Sequence, residues 1–199
     1  MSPLRSTVTL PAVVVGLATF LVVLIPGTGL PVAVVAGVIV ASTFARVVSG
    51  RAVGVVRRSL NARPALVGEF PRLHNTVGGL CLTHGIDIPE LFVIDSPAGN
   101  AAAMAGREGT SIVLTTGAAD RLGLVELEAL VAHLLVRCGD DGLRADTTKA
   151  SMGRLAGPRL VATANTGPDR LMQVDFDGAD LTRFPPGMQT ALQALAELG

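Results

Sequence analysis

His133, Leu134 and Arg137 have the spacing of a metal-binding helix in which only the first group is kept. A helix that holds a catalytic zinc carries His-Glu-x-x-His. Its two imidazoles at i and i+4 share one face, and the glutamate beside the first is the general base. In "ELEALVAHLLVRCGDD", residues 126–141, the first imidazole is His133. The base position is Leu134, which takes no proton from bound water. The second-ligand position is Arg137, a permanent cation with no lone pair to donate, which repels a dication.

No other residues rebuild such a site from sequence. Cys138 follows His133 by five and points off its face, and Asp140 lies two turns away. His74 and His84 are ten apart, without ligand spacing. Asp175, Asp177 and Asp180 are hard carboxylates, a poor zinc cage around one imidazole. The residue types alone read His133 as a partly buried, hydrogen-bonded core histidine. Other chemistries find less support. No glycine-rich phosphate loop occurs, and Ser96, Ser111 and Ser151 lack a nucleophile-elbow context. "DFDGAD", residues 175–180, lacks the spacing and twelfth-position glutamate of a calcium loop and reads as a solvated turn.

The elements that position these residues begin with two uncharged runs. They are "VTLPAVVVGLATFLVVLI", residues 8–25, and "LPVAVVAGVIVASTFA", residues 30–45, the second extended to about 48 by Arg46, Val47 and Val48. "PGTG" between them breaks a helix. Eighteen helical residues reach about 27 Å, close to the hydrocarbon thickness. A signal peptide would carry one such run and then a polar chain. The remainder of the chain is small for wrapping two all-apolar core helices. The expectation is a two-helix transmembrane hairpin in residues 1–50, spans about 8–25 and 30–48. Arg5 lies before it, and Arg46, Arg51, Arg57, Arg58 and Arg63 lie after it. Both ends, and the domain of residues 51–199, are then cytoplasmic in a multi-pass protein of the cell membrane. Gly16, Ala18, Gly37 and Ala41 allow close helix approach in lipid. "RAVGVVRR" reads as a topology determinant, with anionic-lipid contact as a second possibility. Formal net charge is +0, so no basic field points to nucleic acid. Cys81 and Cys138 lack CxxC spacing and read as free thiols.

Beyond residue 60 the pattern alternates. Leu73, Val77, Leu80 and Cys81 form a helical stripe that ends at Gly85. "PELFVID" and "TSIVLTTG" read as strands, with "SPAGNAAAMAGREG" between them as a loop or edge segment. Leu124, Leu127, Leu130, Val131, Leu134 and Leu135 make one face of a strong helix that stops at Gly139. A weakly patterned stretch breaks near Gly157-Pro158, and Pro186 starts a last helix. The class is α+β.

These pieces, in order, resemble one family. "ELEALVAH" is similar to the lead-in to the active-site helix of the HtpX-like membrane metallopeptidases, gluzincins that include the CAAX prenyl proteases. "PRLHNTVGGLCLTHGIDIPELFVID", "SPAGNAAAMAG", "VLTTGAADRL" and "LTRFPPGMQTALQAL" resemble the family's flanking segments, over roughly residues 60–199. The resemblance implies a mainly helical gluzincin-like peptidase domain with a small β-sheet behind the membrane hairpin. The departures fall on the chemistry. The family's ligand positions map to His133, Arg137 and, counting back from "LTRFPPG", Leu171, with its motif aspartate at Asp175 and its general base at Leu134. One imidazole does not hold a catalytic zinc, so no catalytic residue, metal ligand or cofactor is expected. The reading is a membrane-anchored, catalytically inactive homologue that binds a peptide or membrane-protein partner. Its binding edge is expected at Asn100, Ala101, Ala102 and Ala103. The alternatives are a subunit or assembly factor of a membrane complex, with the hairpin as contact surface, and an active zinc endopeptidase with non-standard ligands.

Overall fold

The computed structural model describes residues 3–24, 29–156, 168–182, 184 and 186–198. Side chains are described for residues 12–24, 29–153, 173–174, 176–182, 184 and 186–198. The elements are α1 (Pro3–Leu24), α2 (Leu30–Ser59), β1 (Arg63–Pro64), α3 (Pro71–His84), β2 (Glu90–Ile94), β3 (Ala101–Ala105), β4 (Thr110–Thr115), α4 (Thr116–Arg121), α5 (Leu124–Cys138), α6 (Leu143–Ala156), α7 (Pro168–Thr182) and α8 (Pro186–Glu197). The fold is mostly helical around one small mixed sheet.

The sheet runs β1-β2-β4-β3, with β2 and β4 parallel and both edge strands antiparallel to their neighbours. "ELFVI" and "SIVL" are continuous apolar runs because both sheet faces are covered. Side chains alternate between the two layers. Val93, Ile112 and Leu114 meet Leu73, Val77, Leu127, Val131 and Leu135 from α3 and α5. Phe92, Met104 and Val113 meet Val56 and Val53 from the far end of α2. Each leucine fully buried in this way contributes roughly 1.5–3 kcal/mol. Two local devices fix the layers. Gly85 ends α3 in the left-handed region at φ 64. Gly117 follows β4 where an added Cβ would collide with the carbonyl oxygens of Pro97 and Ala98.

The elements differ from the sequence reading in four places. The first helix starts at Pro3, five residues before the expected span. The second runs to Ser59 rather than about residue 48, and Val53 and Val56 on that extension pack against the sheet. "DFDGAD" is no turn but part of α7. β1 pairs through Arg63 and Pro64, where no strand pattern exists. Of the breaker, residues 26–28, like Ile25, lie outside the described residues; Gly29 caps α2 at φ 87. Gly157 and Pro158 also lie outside them.

Among the described residues, α2 is the one helix long and apolar enough to cross a membrane. Its residues from Leu30 to Val47 expose valines and Ile39, and α1 exposes Val13, Val14, Leu17, Leu21 and Val22. α1 and α2 are in close contact. A Cβ at Gly16 would lie 2.9 Å from both the Ala41 Cβ and the Gly37 carbonyl oxygen, and one at Gly37 would lie 2.8 Å from the Gly16 oxygen. Gly16, Gly37 and Ala41 are therefore used between these two helices, while Ala18 faces outward.

Candidate functional site

The site lies on α5, which contacts both α7 and β3. α5 forms because its apolar residues recur on one face and Gly139 stops it. That face places Leu134, 4% exposed, in the main core beside Leu130 and Leu135. His133, one residue back, is half-buried and turned toward α7. There Gly178 allows the closest approach: a Cβ at 178 would lie 3.1 Å from the His133 Cα and 3.2 Å from its nitrogen. Ala129, His133, Gly178, Ala179, Thr182 and Met188 line a crevice with no space for a water molecule. Position 171 is two turns before Gly178 and so shares the α7 face toward α5. The side chains of Leu171 and Asp175 lie outside the described residues.

Arg137 has partners of its own. Its Nη1 donates to Asp140 Oδ2 at 2.7 Å, and its Nη2 to Asp146 Oδ2 at 3.4 Å. All three side chains are mostly buried, at 13%, 15% and 22% exposure. Asp140 Oδ1 also accepts from the Gly142 amide at 2.9 Å. The guanidinium thus ties the end of α5 to the loop and to α6. The Asp140 partnership was available to sequence reasoning at i+3; Asp146, nine residues on, was not.

The other candidate ligands are dispersed. His74 Nε2 meets the Ala65 carbonyl at 2.8 Å and His84 Nε2 the Leu181 carbonyl at 3.0 Å. Asp177 accepts from Gln173 at 2.8 Å, and Asp180 is exposed. Among the described residues no three His, Cys, Asp or Glu side chains gather closely enough to hold a metal. A catalytic zinc needs about three protein ligands with an open position for water. One imidazole, a core leucine and an ion-paired arginine do not fit that group.

Burial pushes the Cys138 thiol up to about 11, with the Thr110 hydrogen bond and the Arg137 charge opposing it and Cys81 adding to it. Burial also raises Cys81, 2% exposed. Both thiols are therefore protonated at neutral pH. A raised thiol pKa favours the folded state below the unfolded value of about 8.5, and that contribution is lost as pH rises through the folded value. Iodoacetamide at pH 7.5 should label neither cysteine in the folded chain and both in urea.

The expected binding edge, Asn100 to Ala103, overlaps β3, which among the described residues pairs with β4 alone. Alanines carry weak strand propensity, so this assignment comes from pairing. The Thr115 amide donates to the Asn100 oxygen and the Gly106 amide to the Gly109 oxygen, both at 2.9 Å. That parity turns the N–H and C=O groups of Ala101, Ala103 and Ala105 away from β4. Asn100 Oδ1 accepts from the Ala101 amide at 2.8 Å, and Thr147 Oγ1 from the Ala105 amide at 3.0 Å. The amide of Ala103 has no partner among the described residues.

Comparison with known proteins bears on this arrangement. The chain is 38% identical over 86 residues to the Protease HtpX homolog of Dictyoglomus thermophilum, covering 42% of this chain and 28% of that protein. It is 30% identical over 121 residues to that of Ligilactobacillus salivarius, covering 60% and 40%. It is 35% identical over 168 residues to that of Dictyoglomus turgidum, covering 65% and 55%. Over these spans the chain is similar to HtpX-like peptidases. This HtpX-like chain spans between 28% and 55% of the length of these curated relatives. No family model matches it, and no solved structure is significantly similar. His133, Leu134 and Arg137 lie on α5, and Ala101–Ala103 lie on the strand beside it.

Proposed function

We propose that this protein is a membrane-anchored, catalytically inactive member of its family, a gluzincin-like scaffold that holds an extended segment of a peptide or membrane protein. The observation that carries the reading is Arg137. At the second-ligand position, its guanidinium is committed to Asp140 and Asp146 while Leu134 is packed in the core. Both changes remove chemistry and leave the helix in place. Binding along a strand edge needs main-chain groups rather than a metal, and Ala103 offers both an outward amide and an outward carbonyl. The exposed apolar surfaces of α1 and α2 support a hairpin in the cell membrane, and the arginines after residue 45 support a cytoplasmic domain of residues 51–199. The subunit reading is less favoured, because Gly16, Gly37 and Ala41 already serve contact within the chain.

The test combines metal analysis with capture. Detergent-purified protein should contain far less than one zinc per chain. A photo-crosslinker at Ala102 should capture extended polypeptide in the presence of EDTA. Ala103→Pro removes the outward amide without breaking a bond to β4, a position where an edge strand tolerates proline. It should abolish capture. Stoichiometric zinc, or capture indifferent to Ala103→Pro, would overturn the proposal.

A further inference from the structure

A cavity of about 540 Å³ lies away from α5, between α2 and the turn that joins β3 to β4. Its wall carries Arg51, Arg58 and Arg107, with Asp87, Glu90 and Glu108 opposing them. Arg57 also lines it but stacks over the Phe92 ring at 4.7 Å. Gly50 and Gly54 leave the helix backbone bare there, and the Arg107 Cδ lies 3.6 Å from where a Gly50 Cβ would be. The Val53 methyl meets Gly106 in the same way, at 2.9 Å, so the turn is seated on the helix. Among the described residues no ion pair joins Arg51, Arg58 or Arg107 to the carboxylates of this wall. Height matters as much as charge. Val47 is the last exposed apolar residue of α2, and Gly50 and Arg51 come within the next turn.

We infer that this cleft takes the phosphate of a membrane lipid headgroup. Guanidinium groups suit phosphate oxygens through paired N–H donors. The carboxylates suit a headgroup that brings its own donors, such as the hydroxyls of a glycerol phosphodiester. A cleft of this volume holds one such headgroup. Its position at the edge of the apolar part of α2 puts it level with the headgroups of the leaflet. The inference rests on the reading that α2 crosses the bilayer.

The experiment uses the full chain in nanodiscs of phosphatidylglycerol and phosphatidylcholine, with retained lipid read by native mass spectrometry. The wild type should retain phosphatidylglycerol preferentially. The variant Arg51→Gln/Arg58→Gln/Arg107→Gln should retain it at least about tenfold less. Arg46→Gln, on the exposed face of α2 outside the cleft, should behave as wild type. Should the triple variant lose its fold, Arg107→Gln alone should lower retention about fivefold. Equal loss with Arg46→Gln would mean a diffuse basic field and overturn the site. Displacement of the lipid by equimolar glycerol 3-phosphate would assign a free phosphate instead and overturn the lipid. Failure of the chain to float with vesicles would overturn the membrane reading and the site together, whereas flotation without lipid preference would overturn the site alone.

Discussion

Leu134→Glu, which places a carboxyl group beside His133 as in His-Glu-x-x-His, should destabilise the protein by about 4 kcal/mol or more and give no peptidase activity. Two costs add. The leucine's packing against Leu130 and Leu135 is lost, and truncations of this kind cost roughly 2–5 kcal/mol. A carboxyl group then enters an apolar layer where it is either uncharged or unpaired. Leu134→Met keeps volume and apolarity and should cost less than about 1.5 kcal/mol. Thermal unfolding of the full chain in detergent separates the two. For a chain of this size the glutamate variant should melt about 8–16 °C lower. A Leu134→Glu protein as stable as wild type would mean that the position opens onto a polar pocket, and the peptidase reading would revive.

Arg137→Ala should cost about 3 kcal/mol, because it removes the guanidinium that the mostly buried Asp140 and Asp146 share. The cost should nearly vanish when the acids are neutralised as well, in Arg137→Met/Asp140→Asn/Asp146→Asn. Removing a whole buried ion network often leaves stability little changed. Urea denaturation of the three proteins reads the coupling directly. An Arg137→Ala variant that unfolds at the wild-type midpoint would show that the network contributes nothing. Arg137→His, the residue of a working peptidase, should be as damaging as alanine unless the two aspartates are changed too.

Residues with strong periodicity were legible in advance. The stripe of α3 and the leucine face of α5 predicted both helices and their glycine stops, and the apolar runs of β2 and β4 predicted strands. What failed was local pattern overruled by packing. "DFDGAD" carries turn residues, yet Gly178 and Ala179 are small enough to lie against His133 and Ala129, so the segment stays helical. "RAVGVVRR" carries three arginines, yet it also continues α2, with Val53 and Val56 packed against the sheet. The candidate edge was legible only as a stretch of small residues. Of its two side-chain caps, Asn100 is local to Ala101, whereas Thr147 belongs to tertiary geometry, forty-two residues from its partner in sequence. That residues 133–137 read His-Leu-x-x-Arg where a zinc helix carries His-Glu-x-x-His was plain from three residues, whereas the ion network that holds Arg137 needed the fold.

The unbroken course of α2 works as a depth gauge. One rigid helix joins the exposed apolar residues ending at Val47 to Val56, which packs with Met104 of β3. Nine residues of helix advance about 14 Å. With α2 in the bilayer as proposed, the open amide of Ala103 stays near that height, with no linker to let it ride higher. A client strand leaving the lipid covers the same distance in about four residues. The edge would therefore meet only the first few residues that a partner shows outside the membrane, which makes reach, rather than side-chain recognition, the first filter on what it can hold.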